Sequence, residues 1–295
     1  MSVVTTGFFD GVHLGHRHVL EAVVSAARER GEEAIVVSFW PHPRTVLQQD
    51  AREFRILSTL EEKKARLLSA GIDRVEVLPF TREFAALKAE EYLRLLKDRF
   101  GATLVVMGYD NRIGSDRKTA WEVSGESSPS ARPEIIFCDG AQKTNYSPSG
   151  VAISSTMIRK ALESGNVEDA NGMLGYRYEL TGAVVAGNRM GRTIGFPTAN
   201  MQLYEPLKLV PGNGVYAVEV AVLGRQLRGM CNIGLRPTVG GTARTIETHI
   251  LDFDEDIYGL PLTIRFIRRI RDERKFASLE ALREQLVADR QACQD

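Results

Sequence analysis

The sequence has little of several things that would fix its class at once, and each shortage excludes something. Cysteine is scarce: Cys138, Cys231 and Cys293 stand far apart among 295 residues, odd in number and without metal-ligand spacing. That excludes a disulfide-stapled framework and a cysteine-built zinc site, and it points to a reducing compartment. Net charge is absent, with 38 Lys+Arg against 38 Asp+Glu, so no global field draws the chain to nucleic acid or membrane. Any anion site must be local. Charges interrupt every apolar run well before membrane-spanning length, and no basic segment with an apolar stretch opens the chain. The expectation is a soluble, cytoplasmic protein with small-molecule partners, neither nucleic acid nor membrane, and a monomer or weak homo-oligomer. Internal repeats, low-complexity tracts and a Gly-Lys-Ser/Thr phosphate loop are also missing. The length suits one large or two ordinary domains.

What is present begins at once. The β-prone run Val3-Val4-Thr5-Thr6 leads into Gly7-Phe8-Phe9-Asp10-Gly11-Val12-His13-Leu14-Gly15-His16. Val19, Leu20, Val23, Val24 and Ala27 then recur at helical spacing up to Gly31. Glycines allow close approach of the backbone to a ligand, and the helix start offers free N–H groups to an anion. His13 and His16 can donate to phosphate oxygens. The stretch reads as a strand–loop–helix that holds nucleotide phosphates, although glycine-rich turns also occur without that purpose. These residues resemble the HxGH signature of the nucleotidyltransferase superfamily. The longer GxFDGxHxGH form is similar to the adenylyltransferase half of bifunctional riboflavin kinase/FAD synthetases. The resemblance implies nucleotide binding by Gly7, Phe9, Asp10, Gly11 and Gly15, with His13 and His16 as catalytic groups.

Further strand candidates at 34–39, 75–78 and 103–107 alternate with helical stretches, which predicts an α/β, Rossmann-like domain with a parallel sheet. Ser58-Thr59-Leu60-Glu61 has capping-box spacing and should open one of the helices. Ligands in such sheets sit beyond the carboxyl ends of the strands, here the loops 7–16, 40–44 and 108–119. His42 can approach the same crevice. In the third loop Asp110 and Gly114 match the family's Gly-x-Asp/Asn-Phe-x-Phe-Gly pattern, whereas Asn111 and Ile113 replace its aromatics. Farther on, Ile153-Ser154-Ser155-Thr156-Met157-Ile158-Arg159 precedes a helix. N-capping is the ordinary use of such hydroxyls. Beside HxGH, the segment resembles the FAD synthetase pattern, in which Ser154, Ser155, Thr156 and Arg159 would hold the β- and γ-phosphates.

Past Tyr176 the character changes. Short β-rich segments at 178–186, 214–223, 226–233, 245–253 and 261–267 alternate with Gly and Pro turns, as in a small antiparallel barrel or sandwich. A helix returns at about 278–290. The predicted domains are therefore 1–175 and 176–295. Gly187 to Asn200 contains Gly191-Arg192-Thr193-Ile194-Gly195-Phe196-Pro197-Thr198-Ala199-Asn200, whose GRxxGFPTAN closely resembles the flavokinase signature. That resemblance implies a riboflavin kinase-like barrel with a terminal helix. Gly187, Gly191, Arg192, Gly195, Pro197, Thr198 and Asn200 would serve its nucleotide site. Thr198 and Asn200 offer oxygens suited to Mg²⁺. On the strand 246–253 the match gives Glu247 the role of general base.

The resemblance spans practically the whole chain and implies two reactions. The C-terminal half would phosphorylate riboflavin to FMN with ATP. The N-terminal half would adenylylate FMN to FAD and release pyrophosphate, with Mg²⁺ assisting and much of its shell supplied by phosphate and water. A protein in which only the kinase works, and a flavin-sensing binding module without turnover, share these motifs.

Overall fold

In β1 (Ser2–Thr6) alternate side chains serve opposite faces of a sheet: Val3 joins one apolar cluster with α1, and Val4 joins another with α5. A strand buried on both sides needs helices above and below, which is why it reads as a continuous β-branched run. The computed structural model describes residues 1–47, 54–108, 111–119, 122, 132–138, 152–187, 190–238 and 241–294. Among these, α1 (Leu14–Arg30), β2 (Glu33–Trp40), α2 (Pro43–Leu47), α3 (Leu60–Ser69), β3 (Arg74–Pro79), α4 (Arg82–Ala85), α5 (Ala89–Phe100) and β4 (Ala102–Gly108) follow β1. A small hairpin, β5 (Arg112–Ile113) and β6 (Lys118–Thr119), and the strand β7 (Glu134–Cys138) complete the first unit. The sheet is parallel in the order β3-β2-β1-β4-β7. The chain thus leaves β1 towards β2 on one side and returns to β4 on the other. That reversal opens a crevice at the carboxyl end of β1, where the loop from Gly7 begins.

The helix ends follow local chemistry. Gly31 and Gly101 close α1 and α5 in the left-handed conformation, at φ +64° and +66°. The capping box of α3 falls one residue later than the sequence spacing predicts. Thr59 accepts from Glu62 N at 3.2 Å, and Glu62 accepts from Thr59 N at 3.1 Å. Ser58 is otherwise engaged: its Oγ accepts from Gly11 N at 3.0 Å and faces Asp10.

By their contacts, residues Met1–Ser155 and Thr156–Asp295 form two units. After α6 (Ser155–Glu163) and α7 (Val167–Leu174) come β8 (Glu179–Val185), α8 (Met190–Thr193), β9 (Ala199–Leu203), β10 (Gly214–Val222), β11 (Arg225–Thr238), β12 (Gly241–Ile250), β13 (Pro261–Arg271) and α9 (Leu279–Gln294). Six of the strands close a barrel in the order β10-β11-β12-β9-β8-β13, all antiparallel, so no edge is left to pair with another chain. The alternative of an open sandwich is resolved in favour of the barrel. Closure depends on β9, a strand not expected from its sequence because the prolines and glycines before it read as loop. Asn171 of α7 ties that helix to the barrel, donating to Phe266 O at 2.9 Å and accepting from Tyr178 N at 2.7 Å. At the other end Arg271 grips the buried Asp289 of α9 with Nε at 3.0 Å and a terminal nitrogen at 2.7 Å. Removing one partner of such a buried pair typically costs about 3–5 kcal/mol.

Candidate functional site

The loop between β1 and α1 is built under strain. Phe9, Gly11 and Val12 all have left-handed backbones, at φ +52°, +81° and +40°. For a β-branched residue such as Val12 this is an unusual conformation, costing about 1–3 kcal/mol, that persists only when neighbours enforce it. The enforcement is visible. The buried Asp10 carboxylate accepts from Leu57 N at 3.0 Å and Ser58 N at 3.1 Å, while Ser155 Oγ donates to the Asp10 carbonyl at 3.0 Å. Asp10, expected among the nucleotide ligands, thus uses its carboxylate to pin the loop to the segment before α3. Ser155 reaches the same loop from the start of α6.

His13 is the N-cap of α1 by backbone but makes no side-chain cap, and no acidic residue occupies the first turn. The first turn thus supplies no carboxylate of its own to the positive end of the helix. The His13 and His16 rings stack at 3.6 Å between centroids, tilted by 19°. Gly15 makes room for this, since a Cβ there would lie 3.1 Å from His13 Nδ1. Burial, the adjacent His13 and the charge of Lys63 hold His16 well below the usual histidine range, so it is neutral at pH 7. His42 instead packs edge-on against Phe8 at 3.9 Å, and its Nδ1 accepts from Arg44 N at 3.0 Å. Asp110 lies outside the described residues.

Beside this loop a cavity of about 610 Å³ opens at the ends of β1 and β2. Phe39, Phe80, Phe84 and Tyr92 form an aromatic wall, with neighbouring centroids 5.3–6.3 Å apart. Arg82, Arg112 and Arg117 also line it. Asn111 and Ile113, where aromatics were expected, do so too, but the wall does not depend on them. A flat aromatic ligand carrying a phosphate matches this lining.

The barrel holds two further cavities, of about 370 and 250 Å³. Both are lined by Thr198. The larger takes Asn200, Asn232, Glu247, His249 and Arg271; the smaller takes Arg192, Pro197, Thr248 and Ile250. Strand register explains the first set. Asn200 of β9, Glu247 of β12 and Asn232 of β11 are direct cross-strand neighbours, and the row continues through Val215 to Arg271. Residues directly opposite in a sheet share a face, so one row of the barrel lines the cavity. Thr198 Oγ1 donates to Glu247 at 3.4 Å, and His249 Nδ1 lies 2.8 Å from Pro197 O. Gly191 is required by close approach, because a side chain there would collide with the Phe196 carbonyl, while Phe196 N donates back to Gly191 O at 2.8 Å. Gly195 takes φ +83° at the turn. Gly187 lies against the amide of Asn200 with no space for a Cβ.

Residues 1–156 match the family model described as FAD synthetase, and residues 174–295 match that described as riboflavin kinase. The bifunctional riboflavin kinase/FMN adenylyltransferase of Escherichia coli K12 is 38% identical over 97% of this chain and 90% of its own length. Its counterpart in Bacillus subtilis 168 is 36% identical over 98% and 90%. The chain belongs to the bifunctional riboflavin kinase/FMN adenylyltransferase family. A crystal structure from Streptococcus pneumoniae, named as a macrolide-efflux protein, superposes with a TM-score of 0.89 at 34% identity, covering 100% of this chain and 94% of that one. In this chain no helix among the described residues is long and apolar enough to cross a membrane.

In the FAD synthetase half, sequence reasoning missed Lys63, Ser58 and the Thr6–Tyr92 hydrogen bond of 2.5 Å inside the cavity. Lys63 left one signal, a charged residue on the same face of α3 as the buried Leu67. In the riboflavin kinase half it gave no site role to Asn232 or His249. No periodicity on a single strand could have shown that Asn232 faces Glu247 across a ladder.

Proposed function

We propose that the protein makes FAD from riboflavin in two steps at two separate centres, the barrel phosphorylating riboflavin and the parallel-sheet domain adenylylating FMN. The functional division is at 1–175 and 176–295. The observation that carries the kinase assignment is Thr198, which lines both barrel cavities and hydrogen-bonds Glu247. Riboflavin occupies the larger cavity and ATP the smaller, with Gly187, Gly191, Arg192, Gly195 and Pro197 shaping the nucleotide side. Phosphoryl transfer occurs where the cavities meet. Glu247 takes the proton of the primary 5′-hydroxyl as that oxygen attacks the γ-phosphorus, because an alcohol is a weak nucleophile until deprotonated.

In the other domain FMN occupies the 610 Å³ cavity, its ring against Phe39, Phe80, Phe84 and Tyr92. Its phosphate attacks the α-phosphorus of ATP and expels pyrophosphate. A phosphate monoester has lost its second proton near pH 6, so the site needs alignment and charge neutralisation, not a base. Neutral His16 with His13, the start of α1 and the amides of the 7–15 loop supply that at the phosphates. Ser154, Ser155, Thr156 and Arg159 hold the β- and γ-phosphates. Asp110 is assigned to the same site.

Mg²⁺ fits the barrel site on its donor set. Thr198 hydroxyl, Asn200 amide and Glu247 carboxylate are hard oxygens side by side, and among the described residues no cluster of His, Cys, Asp or Glu offers a competing cage. Thr198 and Asn200 would hold the ion, which would supply charge neutralisation for the transferring phosphoryl group. The buried free cysteines suit a cytoplasmic setting.

Chromatography of products after incubation with ATP and Mg²⁺, first with riboflavin and then with FMN, tests the proposal. FMN followed by FAD from the first substrate, and FAD from the second, are expected. FMN as the sole product of both would leave a kinase alone; tight flavin binding without product would leave a sensor.

A further inference from the structure

Lys63 on α3 is fully buried, at 0% exposure, and no step above uses it. Leu67, one turn along the same face, shows what that position normally holds. An apolar residue there would avoid the cost of removing an ammonium from water. Packing alone therefore does not account for a cation at this place. Its surroundings do. Lys63 Nζ donates to the carbonyl of Phe8 at 3.1 Å and faces that of Phe39 at 3.4 Å. It also lies 3.8 Å from the centroid of the Phe8 ring and 5.9 Å from that of Trp40. One carbonyl belongs to the nucleotide loop and the other to the end of β2, the two walls of the crevice. Gly7 and Phe39, on either side of the clamp, line the 610 Å³ cavity.

We propose that Lys63 is a positioning residue for adenylyl transfer, its buried ammonium clamping the strained nucleotide loop at Phe8 to Phe39 of β2. The inference rests on the reading of His13 and His16 as phosphate-binding groups. Phe8 stands next to Phe9, the first left-handed residue of the loop, so a clamp there fixes the turn that presents both imidazoles. The charged groups facing Lys63 are Asp10, whose carboxylate favours the ammonium, and Lys64 on its own helix, which opposes it. Across the loop Lys63 in turn disfavours protonation of His16. Burial brings Lys63 down from 10.5 to about 8, so the clamp loses its charge just above neutrality.

The test is the pH profile of FAD formation from FMN, measured between about pH 7 and 10 on the intact protein, with Lys63→Met and Lys63→Arg beside it. The substrate phosphates have finished titrating by then. We expect wild-type kcat to fall about tenfold per unit above pH 8, with little change in KM for ATP. Lys63→Met should lose about 100-fold in kcat at pH 7 yet make FMN from riboflavin within twofold of wild type. Lys63→Arg should recover part of the loss and keep it to pH 10, because guanidinium stays charged. The titration of Lys63 does not itself unfold the chain at alkaline pH, and rates are compared only where circular dichroism shows the protein folded. Lys63 has a folded-state value below its unfolded one, so the unfolded chain binds more protons between about pH 8 and 10.5 and this group's effect on stability improves as pH rises. A wild-type profile flat to pH 10 overturns the proposal even if Lys63→Met does not fold. A folded Lys63→Met within threefold of wild type overturns it too. His16→Ala separates the two readings: if it loses FAD formation while Lys63→Met does not, only the clamp fails, and if it keeps FAD formation the phosphate reading fails first.

Discussion

The two proposed centres are built by different means. In the parallel-sheet domain the loop from Gly7 to His16 is bent into left-handed conformations at Phe9, Gly11 and Val12 and tied down by buried polar groups on other elements. In the barrel, Asn200, Asn232 and Glu247 come from adjacent strands in plain register, and glycines allow the close approach of the Gly191–Phe196 turn and of Asn200. In the proposed reading, adenylyl transfer has an anionic nucleophile and a site rich in neutral and cationic donors, whereas the kinase reaction has an alcohol and a site centred on one half-buried carboxylate. On that reading the strain sits where phosphates must be aligned and the rigid ladder where a proton must be taken.

That contrast can be broken most severely at His16. His16→Ala should lower FAD formation about 100- to 1,000-fold, the range for a lost donor to developing phosphate charge, and leave FMN formation unchanged; separate initial-rate assays with riboflavin and FMN check this. Asp10→Ala should come next. It leaves the amides of Leu57 and Ser58 without their acceptor and releases the strained loop, so about 2–4 kcal/mol of stability should go, read by urea denaturation together with FAD formation.

A gentler probe uses pH. His16 is held neutral in the fold, below its unfolded value of about 6.5. The unfolded chain therefore takes up a proton first as pH falls below about 6.5, and this group's contribution to stability declines from there downwards. His16→Gln should flatten that part of a urea-midpoint profile between about pH 7.5 and 5. Smallest of all, Gly195→Ala should cost about 1–2 kcal/mol through its positive φ and raise KM for ATP in FMN formation alone, seen by calorimetry and kinase kinetics.

Much of this was legible in the chain. Apolar runs such as Ala34 to Phe39 betrayed strands buried on both faces, and Gly31 marked a helix end. HxGH and GFPTAN pointed to both halves of the family. What stayed hidden depends on partners distant in sequence. Ser58 looks like a cap until Gly11 and Asp10 claim it, 47 and 48 residues away. The hold of the Asp10 carboxylate on the amide of Leu57 spans 47 residues and shows only in the fold. Asn232 becomes notable only through register with Glu247, and Lys63 only through two carbonyls on other elements.

The central claim is that one reaction needs a protein base and the other does not. Its most direct test is Glu247→Gln, given riboflavin and FMN in separate chromatographic assays with ATP and Mg²⁺. FMN formation should fall by about 100- to 10,000-fold, while conversion of supplied FMN to FAD continues at the wild-type rate. Equal loss of both products, or undiminished FMN formation, would contradict the account.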